Sequence, residues 1–462
     1  MNQAHPTTRR EFLKTTGRFA AASALAGVII PSVHAAENNT IQIALIGCGG
    51  RGTGAAVNAL SVKQAPLKLV AMADVFKDRL DGSYNALKGN AVGKFVDVPD
   101  DRKFIGFDAY QKAMDCLKPG DIAIFTTPLT FRWVHFAYAI QKGLNVFMEK
   151  PLSADAPVSR RMLKLGEDAK AKNLKVGVGL MSRHSRAMQE LWQRIQDGEI
   201  GDLMLLRGYR MHGPGGVAFS TKWPGQPSEL LWQIQRFHSF IWASGGCFND
   251  FYIHHIDHCC WMKNEWPVKA QALGGCHYKL NPQGVPYVDQ NFDVYSVEYT
   301  FADGAKFIMD GRCMDGCKVI YSSHAQGTKG NAVISSAYDC GLPSSTFKGM
   351  NTDHFNLIWE SKVPGGEQDP YLNEWNDLVA AILHDQPYNE VERGVHASAV
   401  SSMGRKAAHT GQEITLDDFM KSDLEYAPGA DKWTLDSPAP LVADAKGMYP
   451  MPQPGLKGLA EY

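Results

Sequence analysis

The stretch Ile41-Gln42-Ile43-Ala44-Leu45-Ile46-Gly47-Cys48-Gly49-Gly50-Arg51-Gly52 decides the reading of this chain: an apolar run suited to a buried strand delivers three glycines, in the order GxGxxG, into a helical pattern. Gly47 permits a tight turn out of the strand, Gly49 lacks the side chain that would block a pyrophosphate, and Gly52 lets the following helix pack closely on the sheet. The helix N-terminus adds amide donors and the positive end of a dipole. The motif gains weight from a second apolar strand, Leu67 to Ala73, which ends on Asp74, twenty-two residues past Gly52. An acid at that distance is expected to bond the ribose hydroxyls of a dinucleotide. Asp74 favours NAD because its charge repels a ribose phosphate, while Lys77 and Arg79 nearby keep NADP open.

Apolar strands continue to alternate with helical patterns. A helix is expected from about Lys77, a weak strand near Phe104, strands at Ile122–Phe125 and Leu144–Met148, a helix through His135 that stops at Gly143, a helix from about Ala156 to Lys172, and a strand at Lys175–Val178. This is the pattern of a doubly wound parallel sheet, whose strands present their carboxyl ends, including the Thr126-Thr127-Pro128 turn, to a bound nucleotide. From about Gly201 the pattern shifts to longer strands at Leu203–Met211, Val268–His277, Val294–Phe301, Lys306–Arg312 and Lys318–Ser323. Hairpin spacing such as Phe301-Ala302-Asp303-Gly304 indicates an antiparallel sheet. Helices return near Asn373–Leu383 and Val391–His409, and the last forty or so residues, rich in proline and glycine, read as an irregular arm lying on the surface or on a neighbouring subunit.

Ahead of the first strand stand Thr8-Arg9-Arg10-Glu11-Phe12-Leu13-Lys14, an uncharged run from Phe19 to Ile30, and Ser32-Val33-His34-Ala35-Ala36. The order reads as a twin-arginine export signal cleaved after Ala35, with an apolar run too short to span a bilayer. The expected division is therefore a signal over 1–35, a dinucleotide-binding domain over 36–180, an α+β domain over 181–420 and the arm over 421–462, with a periplasmic or exported location and no stable membrane span once the signal is removed. A length of 462 residues with 44% hydrophobic content suits two domains with a large core. The net charge of −1 and the absence of a basic stretch interleaved with aromatics exclude a general nucleic-acid binder. Nine scattered cysteines form no regular framework; Cys313 and Cys317 are spaced for one local bridge.

Two further motifs carry chemistry. Glu149-Lys150-Pro151 ends the fifth strand and presents an ammonium at the carboxyl edge of the sheet, where it can bond a substrate hydroxyl and stabilise the alkoxide that develops as hydride leaves. Asp250, His254 and Asp257 are spaced i, i+4, i+7, which puts a histidine on one helix face with a carboxylate a turn away on either side. A carboxylate beside an imidazole orients its tautomer and raises its basicity. A metal site built on His254 and His258 with Cys259 or Asp250 lacks the glutamate and third ligand of helical zinc sites, and no metal is expected.

The GxGxxG strand and helix, the Thr-Thr-Pro turn, the Glu-Lys-Pro triplet and the Asp-x-x-x-His-x-x-Asp helix, in this order, resemble the Gfo/Idh/MocA oxidoreductases over nearly all of the chain after the signal. The resemblance implies an N-terminal Rossmann domain, a C-terminal domain with an open, mostly antiparallel sheet, NAD or NADP in the crevice, and a pyranose or cyclic polyol as substrate. It assigns Lys150, Asp250 and His254 to catalysis, with His254 the acid/base, and places Glu149 near the nicotinamide. With Gly47, Cys48, Gly49, Gly50, Arg51, Gly52, Asp74, Thr127, Pro128 and Lys150, Glu149 completes the expected cofactor site. Two departures stand out: Arg132 replaces the histidine usual four residues after the Thr-Pro turn, with His135 one turn on, and Tyr252 replaces a small residue. Both are expected to alter the pocket.

Arg183, His184, Tyr209, Arg210, His212, Asn249 and His255 are candidates for bonding sugar hydroxyls in the same crevice. Trp223, Trp232, Phe237 and Trp242, set among Arg236 and His238, read as an aromatic packing layer or a sugar-stacking wall. The expected activity is hydride transfer between a retained nicotinamide cofactor and a sugar or polyol hydroxyl, since an exported enzyme has no nicotinamide pool to draw on. The alternatives are a redox-neutral NAD-dependent glycosidase working by oxidation and elimination, and a non-catalytic sugar-binding protein with structural NAD. The expected partners are the small-molecule substrate and further copies of the chain.

Overall fold

The computed structural model describes residues 40–277, 279–336 and 341–462; the export signal read at residues 1–35 lies outside them. Six strands, β1 (Ile41–Ile46), β2 (Leu67–Asp74), β3 (Lys103–Ile105), β4 (Ile122–Phe125), β5 (Asn145–Met148) and β6 (Val176–Val178), pair in the order β3-β2-β1-β4-β5-β6. Every pairing is parallel. The interior strands are buried along almost their whole length because helices cover both faces, which is why they read as continuous apolar runs. Strand order reverses between β1 and β4, and the glycine loop leaves β1 at that switch point.

A second sheet contains β7 (Leu203–His212), β8 (Lys269–Gly275), β9 (Val294–Thr300), β10 (Lys306–Cys313), β11 (Ile320–Gly327), β12 (Gly330–Ser335), β13 (Ser345–Lys348), β14 (Leu357–Glu360) and β15 (Ile414–Thr415). Their order is β14-β13-β12-β11-β7-β10-β9-β8-β15, antiparallel throughout except where β7 runs beside β10. On β9 and β10 buried residues alternate strictly with more exposed ones, so that Tyr295, Val297, Tyr299, Phe307 and Met309 form one covered face. The sequence pattern did not show β12 to β15, which are short.

The helices Gly246–Lys263 and Val391–Thr410 join the sheets. On the first, Phe248, Tyr252 and Ile256 enter the core of the second sheet while Ile253 enters that of the first; on the second, Val400 and Met403 take one side and Val391 and Val395 the other. Tyr252 therefore does not shape a ligand pocket: it is fully buried against β10, where a Cβ on Gly311 would stand 2.0 Å from its ring. Nor do Cys313 and Cys317 form a bridge, since Cys313 is buried near Tyr252, Cys317 is exposed, and both are free thiols.

The irregular arm packs on its own chain. Tyr449 stacks on Trp232, and Glu461 is buried at the start of the Gly246–Lys263 helix. There the Arg405 guanidinium donates to both Glu461 carboxylate oxygens at 2.9 and 3.0 Å and to the carbonyls of Gly245 and Ala154, each at 3.0 Å. His409 and Tyr426 complete the shell of Glu461. Burial alone would raise the Glu461 carboxyl, but the Arg405 charge and the His409 and Arg405 hydrogen bonds hold it well below the usual range.

Glu461→Gln leaves a fully buried arginine without its counter-charge and is expected to destabilise by about 3–5 kcal/mol at neutral pH. Because the folded carboxyl is depressed, the native side chain's contribution is present above the unfolded glutamate pKa of about 4.3 and lost as pH falls below it. Thermal unfolding should thus separate variant from native protein widely at pH 7 and progressively less towards pH 3.

Candidate active site

A cavity of about 810 Å³ opens at the carboxyl ends of β1, β2, β4 and β5 and is closed on its far side by residues of the Gly246–Lys263 helix and the segment before it. Its floor is the glycine loop. Gly47 has φ +97°, and a Cβ on Gly52 would stand 2.1 Å from the Gly47 carbonyl oxygen, so these two glycines are demanded by the protein's own packing. A Cβ on Gly49 would meet no atom within 4 Å. Nothing in the protein requires glycine there, whereas a pyrophosphate lying on the loop would, and on this observation the site fits a dinucleotide.

Asp74 lines the same cavity and accepts from the backbone amides of Cys48 at 2.6 Å and Phe76 at 2.9 Å, which anchor its carboxylate at the edge where a ribose would lie. Burial raises its pKa, and these amides work against the rise. Thr126 bonds the Gly47 carbonyl and ties the Thr-Thr-Pro turn to the glycine loop. Arg51 turns along the cavity wall: its Nε donates to Glu149 at 2.5 Å, and its guanidinium lies 4.7 Å above the Tyr371 ring.

Arg132 stands four residues after Pro128, but its side chain is buried and used structurally. It donates to the carbonyls of Thr127, at 2.8 Å, and Pro151, joining the Thr-Thr-Pro turn to the Glu-Lys-Pro turn. Burial lowers its pKa to about 10, still cationic at neutral pH. His135 bonds the Thr127 hydroxyl at 3.3 Å and lines the cavity; burial and then Arg132 lower its pKa to about 3, so it is a neutral imidazole.

Opposite the glycine loop, Lys150 from the end of β5 meets Asp250. Its Nζ donates to the Asp250 carbonyl and lies 3.3 Å from Oδ1. The other carboxylate oxygen, Oδ2, faces His238 Nε2 at 2.9 Å. Burial pushes the Asp250 carboxyl up, but the Lys150 charge and His238 together hold it well below the usual carboxylate range. His254, one turn along the helix, lines the same cavity. Lys150, Asp250 and His254 thus share one wall. Asp257 does not join them, because Arg183 grips its carboxylate with two parallel hydrogen bonds of 2.8 and 2.9 Å.

That pair takes Arg183 out of the cavity, and the other proposed sugar-bonding residues also lie elsewhere. His184 is buried in an ion network with Asp377 at 2.7 Å and Glu390 at 3.2 Å; burial pulls its pKa down, but these carboxylates raise it to about 9. Asn249 donates to Ser402, inside the helix packing. On β7, Tyr209 packs against His324 on the open face of the sheet, while His212 bonds the Gly213 carbonyl behind Phe251. Arg210 lies 4.3 Å over the Tyr321 ring, and His255 is buried against that same ring. His258 bonds Ser323 at 2.8 Å and, unlike His254, does not line the cavity. All these residues sit on faces that periodicity cannot tell from the crevice face without knowing how the two sheets meet.

His238 is the site residue that the sequence pattern did not single out. Its signal was weak, one imidazole in an aromatic stretch. Of that stretch Phe237 joins it in the cavity, whereas Trp232 and Trp242 are buried packing.

Two measurements probe these assignments. Arg132→Met strands two carbonyls and should cost about 1–3 kcal/mol for each, read as a lower melting temperature together with a smaller stabilisation by added NAD. For His184, whose folded pKa is raised, the stabilisation is complete below about 6.5 and lost as pH rises through about 9. Melting temperature should therefore fall between pH 7 and 9.5 in the native protein and fall less in His184→Gln.

No protein-family model matches the chain. It is 28% identical to the inositol 2-dehydrogenase of Rhizobium meliloti (strain 1021) over 344 residues, 74% of this chain and 89% of the relative. Among solved structures, scyllo-inositol dehydrogenase from Lactobacillus casei with bound NAD(H) and scyllo-inositol aligns at a TM-score of 0.57 with 21% identity, covering 82% of this chain and 99% of that one. The aldose-aldose oxidoreductase from Caulobacter crescentus complexed with glycerol aligns at 0.60 with 16% identity, covering 81% and 99%. The chain therefore has the fold shared by these polyol and sugar oxidoreductases: a parallel Rossmann-type sheet followed by a mostly antiparallel one.

Proposed function

We propose that this protein is an NAD-dependent oxidoreductase that oxidises a hydroxyl of a cyclic polyol or pyranose. The observation that carries the reading is the Lys150 ammonium 3.3 Å from the Asp250 carboxylate, in the cavity that also holds the Gly47–Gly52 loop and His254. The names of the relatives support NAD and a polyol. Gly47 to Gly52, Asp74, Thr127, Pro128 and Glu149 would hold the cofactor, and the bound nicotinamide supplies the hydride acceptor. In this scheme Lys150 hydrogen-bonds the substrate oxygen and stabilises its developing negative charge, Asp250 holds and aims the ammonium, and His254 takes the hydroxyl proton.

The reading extends to export and to a retained nucleotide. Arg9-Arg10 and the short apolar run after them support the twin-arginine route. Retention is supported by the segment Ser228–Ser239, which brings Ile234 and Phe237 into the cavity and receives a hydrogen bond of 3.3 Å from Arg79 to the Gln235 carbonyl. Behind it Trp232 stacks on Tyr449, and Gln233 bonds the Leu441 carbonyl. Release of a bound nucleotide would have to displace this backed segment.

Denaturing the purified protein should release NAD, and adding polyols and free sugars to the native protein should generate absorbance of reduced nicotinamide. Lys150→Met should keep its nucleotide and lose about 10²- to 10⁴-fold in turnover. Aglycone release from aryl glycosides without net reduction would replace this reading with oxidation and elimination. Nucleotide that borohydride reduces but no sugar does would leave a binding protein.

A further inference from the structure

The roles assigned to Lys150, Asp250 and His254 leave His238 unexplained, although it is held more tightly than packing requires. Its ring lies between Phe237, with centroids 3.9 Å apart, and Phe251, at 4.9 Å. Along its edge runs the backbone of residues 216 and 217. Gly216 has φ +59°, and a Cβ there would stand 2.4 Å from the imidazole, so this position admits no side chain. The Val217 amide points at Nδ1 from 3.1 Å. An amide N–H can only donate, so Nδ1 accepts, and the single ring proton of a neutral imidazole is left on Nε2, which faces Asp250 Oδ2 at 2.9 Å.

We propose that His238 is a positioning residue for the reaction: fixed as the neutral Nε2–H tautomer by the Val217 amide, it locks the Asp250 carboxylate in the rotamer that presents Oδ1 to the Lys150 ammonium. No proton leaves His238 in this role. His238 and Lys150 meet different oxygens of the carboxylate, and the Val217 amide occupies the second ring nitrogen. The other charged or titratable groups facing Asp250 are Lys150 and Arg132 from the first sheet's side and Cys247 and His254 on its own helix. His238 Nε2 is the group that meets Oδ2, at 2.9 Å. The loop 213–217 and the segment 228–239 thereby contribute to the chemistry through one side chain.

The inference deepens the oxidoreductase reading and rests on it for its kinetic consequence, so the test has two arms. In the full-length protein with its nucleotide, His238→Ala should lower kcat for polyol or sugar oxidation about 10- to 100-fold, the factor that one charge-assisted hydrogen bond is worth. The substrate KM and bound nucleotide should be nearly unchanged. His238→Gln, whose amide N–H reaches the same oxygen, should recover most of the loss. An unchanged kcat in His238→Ala, or a loss confined to KM, overturns the proposal. Independently of turnover, ¹⁵N spectra of the native protein at neutral pH should show His238 protonated at Nε2 alone. Protonation at Nδ1 overturns the proposal even in an active enzyme. The predicted tautomer in a protein that oxidises no sugar or polyol would instead sink the oxidoreductase reading and leave the His238–Asp250 geometry standing.

Discussion

One buried carboxylate holds the working halves of this protein together. Asp250 stands on a helix that belongs to both cores, takes Lys150 from the end of the parallel sheet on one oxygen and His238 on the other, and so makes the crevice wall a single charged unit. Taking these groups out of water is expensive, and the cost is met only because each oxygen of the carboxylate has a donor. The Lys150–Asp250 contact joins the end of β5 to that helix and so depends on how the two sheets sit. Relative placement of the sheets and integrity of the site are therefore the same quantity in this molecule.

A second network lies behind the first. Arg51 bridges Glu149 and Glu374 beside the glycine loop, and a neighbouring set of ionisable groups, His184, Asp377, Glu390 and Arg393, influences Glu374 through space. Within it Glu374 is the member whose carboxyl burial pushes far up, with Glu149 adding to the rise. Arg51 Nε lies 2.5 Å from Glu149 while its Nη2 is 3.8 Å from Glu374, so Glu149 is the closer partner of that guanidinium. Arg51 is thereby kept against the cavity wall instead of reaching across the loop.

The first sheet was readable because its physics is local: a strand covered on both faces must be continuously apolar, and a glycine loop of fixed spacing must follow it. Lys150 and Asp250 were legible for the same reason, each fixed by its neighbours in sequence, proline in one case and helical spacing in the other. What the sequence did not reveal depends on which way a face looks. Arg183, His184, Asn249 and His255 carry the right chemistry but are spent on Asp257, Asp377, Ser402 and the Tyr321 ring, choices made only once the sheets meet. His238 escaped because its value comes from a backbone amide twenty-one residues away. Arg132 was visible as a departure, yet its function, tying two turns through their carbonyls, has no sequence signature.

The burial of Glu461 has a temporal meaning. Arg405 cannot be neutralised until residue 461 has been synthesised, and Arg405 is what grips the Gly245 carbonyl just ahead of the Asp250 helix. A chain emerging from the ribosome can close its parallel sheet early, but the wall bearing Asp250 waits for residue 461 before it has its supporting charge. The helix that carries Asp250 is therefore braced by a charge that the chain supplies only after the strands of both sheets.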